Sequence, residues 1–275
     1  MPNIAVVHLV RQRNGTEPFR QFLDSYRANP GGVDHELILI FKGFLFGKIP
    51  HGYAELLSGI RFRPLFAFDF GFDIRPYFLC ARKFQFPYFC FLNSFSVLLD
   101  KDWLGKLLDW GSRDEIGAAG ATGSWESHLN NVMQGELRNA RVLRKVKRHF
   151  HPFPNPHLRT NAFLIRREKF LSVRYGWLLT KTQAHRFESG QNGFTRQLLE
   201  KVLEPVVVGR DGKGYFRDDW PSSLTFRIGD QSNLLVADNK THQYVLADSF
   251  LRSHLSRLTW GDQAVFRVDP APPQV

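Results

Sequence analysis

Short runs of apolar residues alternate along the chain with segments whose apolar side chains recur at helical spacing. Residues 4–10 form the first apolar run, residues 17–26 show the helical spacing, and residues 36–41 form a second apolar run. A strand, a helix and a strand with short connections make a βαβ unit, in which the two strands lie parallel. The pattern therefore predicts that the fold opens with a parallel sheet.

The rest of the chain continues the same alternation. It predicts strands at residues 65–68, 88–92, 116–119, 161–165 and 205–208, and helices at 73–83, 103–110, 128–148 and 195–202. We expect an α/β fold that forms a single domain, with a mostly parallel sheet and helices on both faces. Residues 1–210 would form this domain. Residues 211–275 would be a C-terminal extension packed on it, with a loose tail at 270–275.

Composition and charge narrow the class of protein and its partners. The chain has 275 residues and a net charge of +11, which favours anionic partners such as phosphate-bearing substrates, anionic lipid or nucleic acid. Its two cysteines, Cys80 and Cys90, have neither the spacing of a metal site nor the number needed for a disulfide framework. No signal peptide and no apolar stretch long enough to span a bilayer stand out, so we expect a cytoplasmic protein.

Polar side chains follow the predicted strands at the points where the strands end. Ligands of an open parallel sheet bind in the crevice beyond the carboxyl ends of its strands, so these side chains should converge at one edge. They are Arg11 after the first strand, Asp69 after the third, and Asn93, Ser94 and Ser96 after the fourth, and Val10, which ends the first strand, is a further candidate for the donor site. The small-residue segment 120–124 could wrap a phosphate or a sugar with its amides, although such a segment is more often a simple turn.

The order of these features resembles the glycosyltransferase A fold, in particular the inverting, family-2-like enzymes that build bacterial polysaccharides. The segments that carry the resemblance are residues 6–10 with the following helix, 69–94, 161–167 and 187–208. The resemblance implies a nucleotide-diphospho-sugar donor held at the strand ends named above. It also implies an acceptor that is a saccharide or is linked to a lipid.

In the same resemblance Glu188 occupies the segment that carries the catalytic base, which takes a proton from the acceptor hydroxyl. The alternative is an ordinary carboxylate at a helix N-terminus, where the dipole favours negative charge. Glu126 is a second candidate for the base. The candidates for an acceptor or phosphate site are Gly120, Thr122, Gly123, Ser124, Trp125 and Asn161.

The chain departs from the family at the metal site. The family places Asp-x-Asp after the fourth strand, where this chain has Asn93 and Ser94, and neutral oxygens are poor ligands for Mn²⁺ or Mg²⁺. Three outcomes stay open: a weakly held metal with Asn93 as a ligand and His157 or His185 as a further one, a diphosphate neutralised by Arg or Lys, or an inactive site.

The sequence thus predicts a glycosyltransferase that acts on a polysaccharide or glycolipid acceptor. Basic residues at 138–159 would give it peripheral contact with the inner face of an anionic membrane. A degenerate transferase that serves as a scaffold or binding protein in polysaccharide assembly is the first alternative. A nucleic-acid-binding protein is the second, but no DNA- or RNA-reading signature is present, so no nucleic-acid partner is expected.

Overall fold

A computed structural model of the protein describes residues 3–44, 47–134 and 140–263. Its strands are β1 (Ile4–Arg11), β2 (Glu36–Lys42), β3 (Arg63–Ala67), β4 (Tyr88–Leu92), β5 (Val97–Leu98), β6 (Ile116–Gly120), β7 (Gly123–Ser124), β8 (His157–Leu158), β9 (Ala162–Arg166), β10 (Glu204–Val208), β11 (Gly214–Tyr215) and β12 (Val236–Ala237). Its α-helices are α1 (Glu17–Ala28), α2 (His51–Leu56), α3 (Ile74–Lys83), α4 (Trp103–Gly111), α5 (His128–Gln134), α6 (Ala140–Lys147), α7 (Arg167–Leu171), α8 (Lys181–Ser189), α9 (Phe194–Leu199), α10 (Asn239–Leu246) and α11 (Ser249–Trp260).

The main sheet has eight strands in the order β11-β10-β6-β9-β4-β1-β2-β3. Strands β1, β2, β3 and β4 are parallel to one another, as are β6 and β10, and β9 lies antiparallel between β4 and β6. Strand β11 pairs antiparallel with β10 at one edge. The predicted α/β class with a mostly parallel sheet is therefore confirmed.

The two faces of the sheet carry separate apolar cores. On β1, Ala5, Val7 and Leu9 face one core and Val6 and Val10 face the other, as the alternation of a strand requires. The first core receives apolar side chains from α3, α7 and α9, and the second receives them from α1 and α4. Helices thus cover both faces, as the sequence predicted.

Two local predictions are wrong. The expected helix at 128–148 is two helices, α5 and α6, with residues 135–139 between them outside the described residues. The expected loop at 120–124 is buried: Gly120 ends β6, and Gly123 with Ser124 forms β7, which pairs with β8. A Cβ at Gly123 would lie 2.6 Å from Trp220 Cε3, so only glycine permits this close packing.

Residues after 210 share strands and core with the rest of the fold. The predicted boundary at 210 falls in the hairpin between β10 and β11, and Trp220 and Trp260 are buried in the same core as β1. Strand β12 also pairs with β5. The expected loose tail at 270–275 lies outside the described residues. None of the described helices is both long enough and apolar enough to cross a bilayer.

His8, at the centre of β1, makes stability depend on pH. Its ring is fully buried and stacks on Phe22 with centroids 3.6 Å apart, and neither ring nitrogen has a hydrogen-bond partner among the described residues. Burial lowers the pKa of His8 from 6.5 to about 3. Below its ordinary pKa the unfolded chain binds a proton that the folded chain excludes, so stability falls as the pH falls.

We expect the free energy of unfolding to drop by about 2 kcal/mol more in the wild type than in His8→Leu between about pH 7 and pH 5. Leucine is apolar and carries no titrating group, so it removes this contribution. Urea unfolding at the two pH values measures it. An equal pH dependence in both proteins would show that His8 is not the source.

Candidate functional site

The strand order reverses between β1 and β4, and this is where an open parallel sheet forms its ligand crevice. The chain runs from β1 outward to β2 and β3, then returns to place β4 on the other side of β1. The segments that follow β1 and β4 are in contact at this crevice. Asn14 Nδ2, in a short 3-10 turn after β1, donates to Ser94 Oγ at 2.8 Å. Arg11 and Ser94 were predicted at this edge, and both lie there.

An ion cluster joins the ends of β1, β2 and β3. Asp69 accepts two hydrogen bonds from Arg11, from Nε at 2.8 Å and from Nη2 at 3.1 Å. Lys42 Nζ lies 3.5 Å from Asp69 Oδ1, and Arg13 Nη1 lies 3.8 Å from Oδ2. The hydrogen bond from Arg11 is the main cause that lowers the pKa of Asp69, so this carboxylate is ionised at neutral pH. Asp69 therefore holds the basic side chains of Arg11 and Lys42 in place at the crevice.

Asn93 does not have the geometry of a metal ligand. Its side-chain Oδ1 already accepts hydrogen bonds from Phe95 N at 3.0 Å and from Ser96 Oγ at 3.1 Å, which use both of its lone pairs. Ser96 is fully buried. No group of three or more His, Cys, Asp or Glu side chains within residues 3–44, 47–134 and 140–263 could hold a metal. The donor set at this position thus does not fit the Mn²⁺ or Mg²⁺ that the resemblance implies.

Glu188 lies near the C-terminal end of α8, and not before a helix as the sequence suggested. The dipole at a helix N-terminus therefore does not account for it. Its Oε2 accepts hydrogen bonds from Thr160 N at 2.8 Å and from Thr160 Oγ1 at 2.5 Å. Thr160 lies two residues before the start of β9, whose antiparallel direction brings that start to the carboxyl edge of the parallel strands. Glu188 is thereby held at the edge where ligands bind.

The surroundings of Glu188 keep it ionised. Burial raises its pKa, but the positive potential of His157 and Arg159 and the two hydrogen bonds from Thr160 outweigh burial, so the net shift of the pKa is downward. Its Oε1 accepts no hydrogen bond from the described residues. The side chain is half-buried and so is reached by solvent. A carboxylate of this kind can accept a proton from a bound hydroxyl.

Asp73 is a second carboxylate of the site, and sequence reasoning missed it. It precedes α3, and burial raises its pKa, with the negative charge of Glu188 adding to the rise. Lys42, also missed, is almost fully buried, and its Nζ donates to Phe72 O at 2.7 Å. The environments of Asp73 and Glu188 thus move their pKa values in opposite directions, as in acid and base pairs of enzymes. The sequence did contain a signal for Asp73, because this residue ends the segment 69–73, which lies in a stretch that carries the resemblance.

The two candidate histidine ligands have other roles in the structure. His157 is buried, and its Nδ1 donates to Asn155 O at 2.8 Å, because a carbonyl can only accept. Burial lowers the pKa of His157, and the negative charge of Glu188 acts against this fall. Burial also lowers the pKa of His185, whose ring centroid lies 5.3 Å from that of His128. Both histidines stand close enough to Glu188 for its charge to act on them.

The segment predicted to bind the acceptor or a phosphate is largely buried, and its polar side chains bond within the protein. Thr122 is fully buried, and its Oγ1 donates to Asn161 Oδ1 at 2.8 Å. Ser124 Oγ accepts from Glu126 N, and Trp125 Nε1 donates to the carbonyl oxygen of Arg217 at 3.0 Å. With Gly120 and Gly123 also buried, this segment presents no open cradle of amides. Glu126, the second candidate base, is ion-paired to Arg227 at 3.0 Å.

Arg159 ties the C-terminal residues to the site. Its Nη2 donates to Asp238 Oδ2 at 2.7 Å, and its guanidinium stacks 4.0 Å above the ring of Phe226. The Asp238 side chain is only 1% exposed, so this ion pair is shielded from water. Arg159 is thereby fixed where its charge lowers the pKa of Glu188.

Comparison with known proteins gives only distant likenesses. No protein-family model and no curated protein matches the chain. Among solved structures, the mannosyltransferase PcManGT from Pyrobaculum calidifontis, in complex with GDP-Man and Mn2+, is 11% identical over 61% of this chain and 45% of that one, with a TM-score of 0.38. The apo structure of the bifunctional glycosyltransferase WbbM is 13% identical over 67% and 37%, with a TM-score of 0.39. The chain spans less than half of either protein, and likeness this low carries no argument about function.

Proposed function

We propose that the protein is a glycosyltransferase that moves a sugar from a nucleotide-diphospho-sugar to an acceptor hydroxyl, with Glu188 as the general base. The observation that carries the proposal is the Glu188 carboxylate, kept ionised and bonded to Thr160 at the carboxyl edge of the sheet. The reversal of strand order beside it provides a crevice for the donor. Val10 and Arg11 are the last two residues of β1, and Asn93 and Ser94 directly follow β4.

In the proposed reaction Glu188 takes the proton of the acceptor hydroxyl as its oxygen attacks the anomeric carbon of the sugar. The new glycosidic bond forms as the bond from that carbon to the diphosphate oxygen breaks, and the nucleoside diphosphate leaves with the bonding electrons. Attack opposite to the leaving group inverts the anomeric carbon. The transition state is oxocarbenium-like, so the nearby carboxylate also stabilises it electrostatically.

We assign neutralisation of the diphosphate to basic side chains, because the residues present do not fit a metal. Arg13 follows β1 in the crevice, and its side chain is 77% exposed and only 3.8 Å from Asp69. Arginine binds phosphate oxygens through a planar pair of donors and needs no metal to do so. Arg11, held by Asp69, adds positive potential at the same strand end.

For the acceptor and the cellular location, the proposal adopts the expectations drawn from the sequence. The acceptor is a polysaccharide or glycolipid of the cell envelope, and the reaction takes place in the cytoplasm, at or near the inner face of the membrane. A degenerate transferase that acts as a scaffold is the second candidate. It is favoured by the internal hydrogen bonds of Asn93 Oδ1, which leave no metal ligand where the family carries carboxylates.

Thermal unfolding with UDP, GDP and dTDP, each with and without Mn²⁺, tests the proposal. At about 100 times its dissociation constant a bound nucleotide adds about 2.7 kcal/mol of stability, so we expect one of them to raise Tm by several degrees. The rise should persist in EDTA and shrink in Arg13→Gln, but not in the exposed control Arg61→Gln. Stabilisation by no nucleotide would favour the scaffold, and stabilisation only with Mn²⁺ would refute the assignment to Arg13.

A further inference from the structure

A basic pocket opens on the side of α8 away from Thr160. Helix positions 183, 186 and 187 contribute to it, whereas Glu188 turns to Thr160 on another face of the helix. Its volume is about 560 Å³. We call it the arginine pocket, and its principal lining residues are Arg148, Arg174, Arg186, Tyr175, Trp177 and Gln183.

The three arginines of this pocket are exposed, and their guanidinium groups have no carboxylate partner among the described residues. Burial, with the charges of Arg186, Lys145 and Arg148, lowers the pKa of His149 beside them. Guanidinium groups gathered without counter-charges create a positive potential that attracts an anion, and they match phosphate oxygens in geometry.

An apolar groove of about 390 Å³ adjoins the arginine pocket, and Tyr175 lines both. The groove contains Phe68, which is 81% exposed, together with Phe70 and Leu79. Its rim is also basic: Arg82 Nη1 donates to the hydroxyl of Tyr175 at 2.9 Å, and a further arginine stacks on Phe70. None of the described residues that line the pocket or the groove is acidic.

The exposed aromatic residues distinguish this face from a merely basic one. Trp177 in the arginine pocket is 75% exposed, and exposure of rings as large as Trp177 and Phe68 to water is unfavourable. Tryptophan and tyrosine favour the boundary between lipid headgroups and acyl chains, where one end of the ring is apolar and the other is wet. Arginine side chains beside them reach lipid phosphates while their stems stay in the apolar layer.

We propose that this face docks on an anionic lipid bilayer, with a lipid phosphate in the arginine pocket and with Trp177 and Phe68 inserted at the interface. Positive potential without acidic residues and exposed aromatic side chains together match the charge and the apolar depth of such a surface. The surface is centred on Trp177 and the groove and includes only part of the basic segment 138–159. It does not depend on glycosyl transfer, so a protein without transferase activity would still show it.

Cosedimentation of the protein with phosphatidylcholine vesicles, with and without phosphatidylglycerol, tests the proposal. We expect binding only to the anionic vesicles, weakened by added salt. Arg174→Gln and Arg186→Gln should each weaken it about fivefold, and Trp177→Ala about tenfold. Arg61→Gln and Phe250→Ala are the matched controls, because both residues are exposed and neither lines the pocket or the groove.

Insertion of Trp177 into the bilayer can be measured separately, by the quenching of its fluorescence. Brominated phosphatidylglycerol should quench tryptophan fluorescence in the wild type and much less in Trp177→Phe. Equal binding to neutral and anionic vesicles, or equal losses in the control variants, would overturn the proposal. So would arginine-dependent binding of a soluble anionic polysaccharide by a protein that ignores vesicles, because the pocket would then be a saccharide site.

Discussion

Replacing Glu188 with Gln is expected to lower kcat for sugar transfer by about 10³-fold, within the range that a general base contributes. Glutamine keeps the shape of the side chain, and its oxygen can still accept the two hydrogen bonds from Thr160, but it cannot take a proton. Donor binding, read as the rise in Tm with nucleotide, should be unchanged. Initial rates of transfer from the donor that stabilises the protein measure the effect.

The matched control is Glu200→Gln, which changes an exposed carboxylate after α9 and should leave the rate unchanged. Full activity in Glu188→Gln would show that this residue takes no part in the chemistry.

Since hydrogen bonds from Thr160 help to lower the pKa of Glu188, Thr160→Val should shift the acid limb of the pH–rate profile to higher pH. A profile that does not move would show that the Thr160 hydroxyl has no part in keeping the base ionised, since the backbone N–H of residue 160 still donates in this variant.

Replacing Asp238 with Ala is expected to lower the free energy of unfolding by about 3–5 kcal/mol, the loss typical of breaking a buried ion pair. Asp238 contributes to stability in two ways, as a partner in an ion pair and as a helix cap. Its Oδ2 pairs with Arg159, and its Oδ1 accepts from Lys240 N and Thr241 N, both at 2.9 Å, to cap α10. The change leaves a largely buried guanidinium without its partner. Urea unfolding at neutral pH measures the loss.

Asp248→Ala separates the two contributions. Asp248 caps α11 by accepting from Leu251 N at 2.8 Å, it makes no ion pair within the described residues, and its loss should cost about 1 kcal/mol. Arg159→Met with Asp238→Ala should regain part of the stability, because no unpaired charge remains. If Asp238→Ala costs no more than Asp248→Ala, the ion pair with Arg159 contributes nothing.

The sequence predicted seven of the eight strands of the main sheet, because each of the seven contains a short apolar run, and it missed β11, which is only Gly214–Tyr215. β4 begins and ends at the predicted residues, and β1 and β10 differ by one residue at an end. Periodicity says nothing about strand direction, so β9 was not recognised as antiparallel. That direction is what brings Thr160 to the carboxyl edge, and it could not be inferred from the run of residues at 161–165.

The site was predicted less completely, for reasons that lie in tertiary packing. The sequence named Glu188 as a candidate base, but the hydrogen bonds between Glu188 and Thr160 span 28 positions of sequence and leave no local pattern. Segment 120–124 has the composition of a loop, yet Trp220, which is distant in sequence, packs closely against Gly123. Lys42 ends an apolar strand, where nothing nearby in sequence indicates a buried cation.

The antiparallel strand also bears on how the chain folds as it is synthesised. β4 and β6 flank a gap one strand wide, and β9, which fills it, is made more than forty residues after β6 ends. Until then each of these apolar strands has an unpaired edge, and such edges recruit strands from other chains. A nascent chain stalled before residue 162 would therefore be prone to aggregate through these unpaired edges.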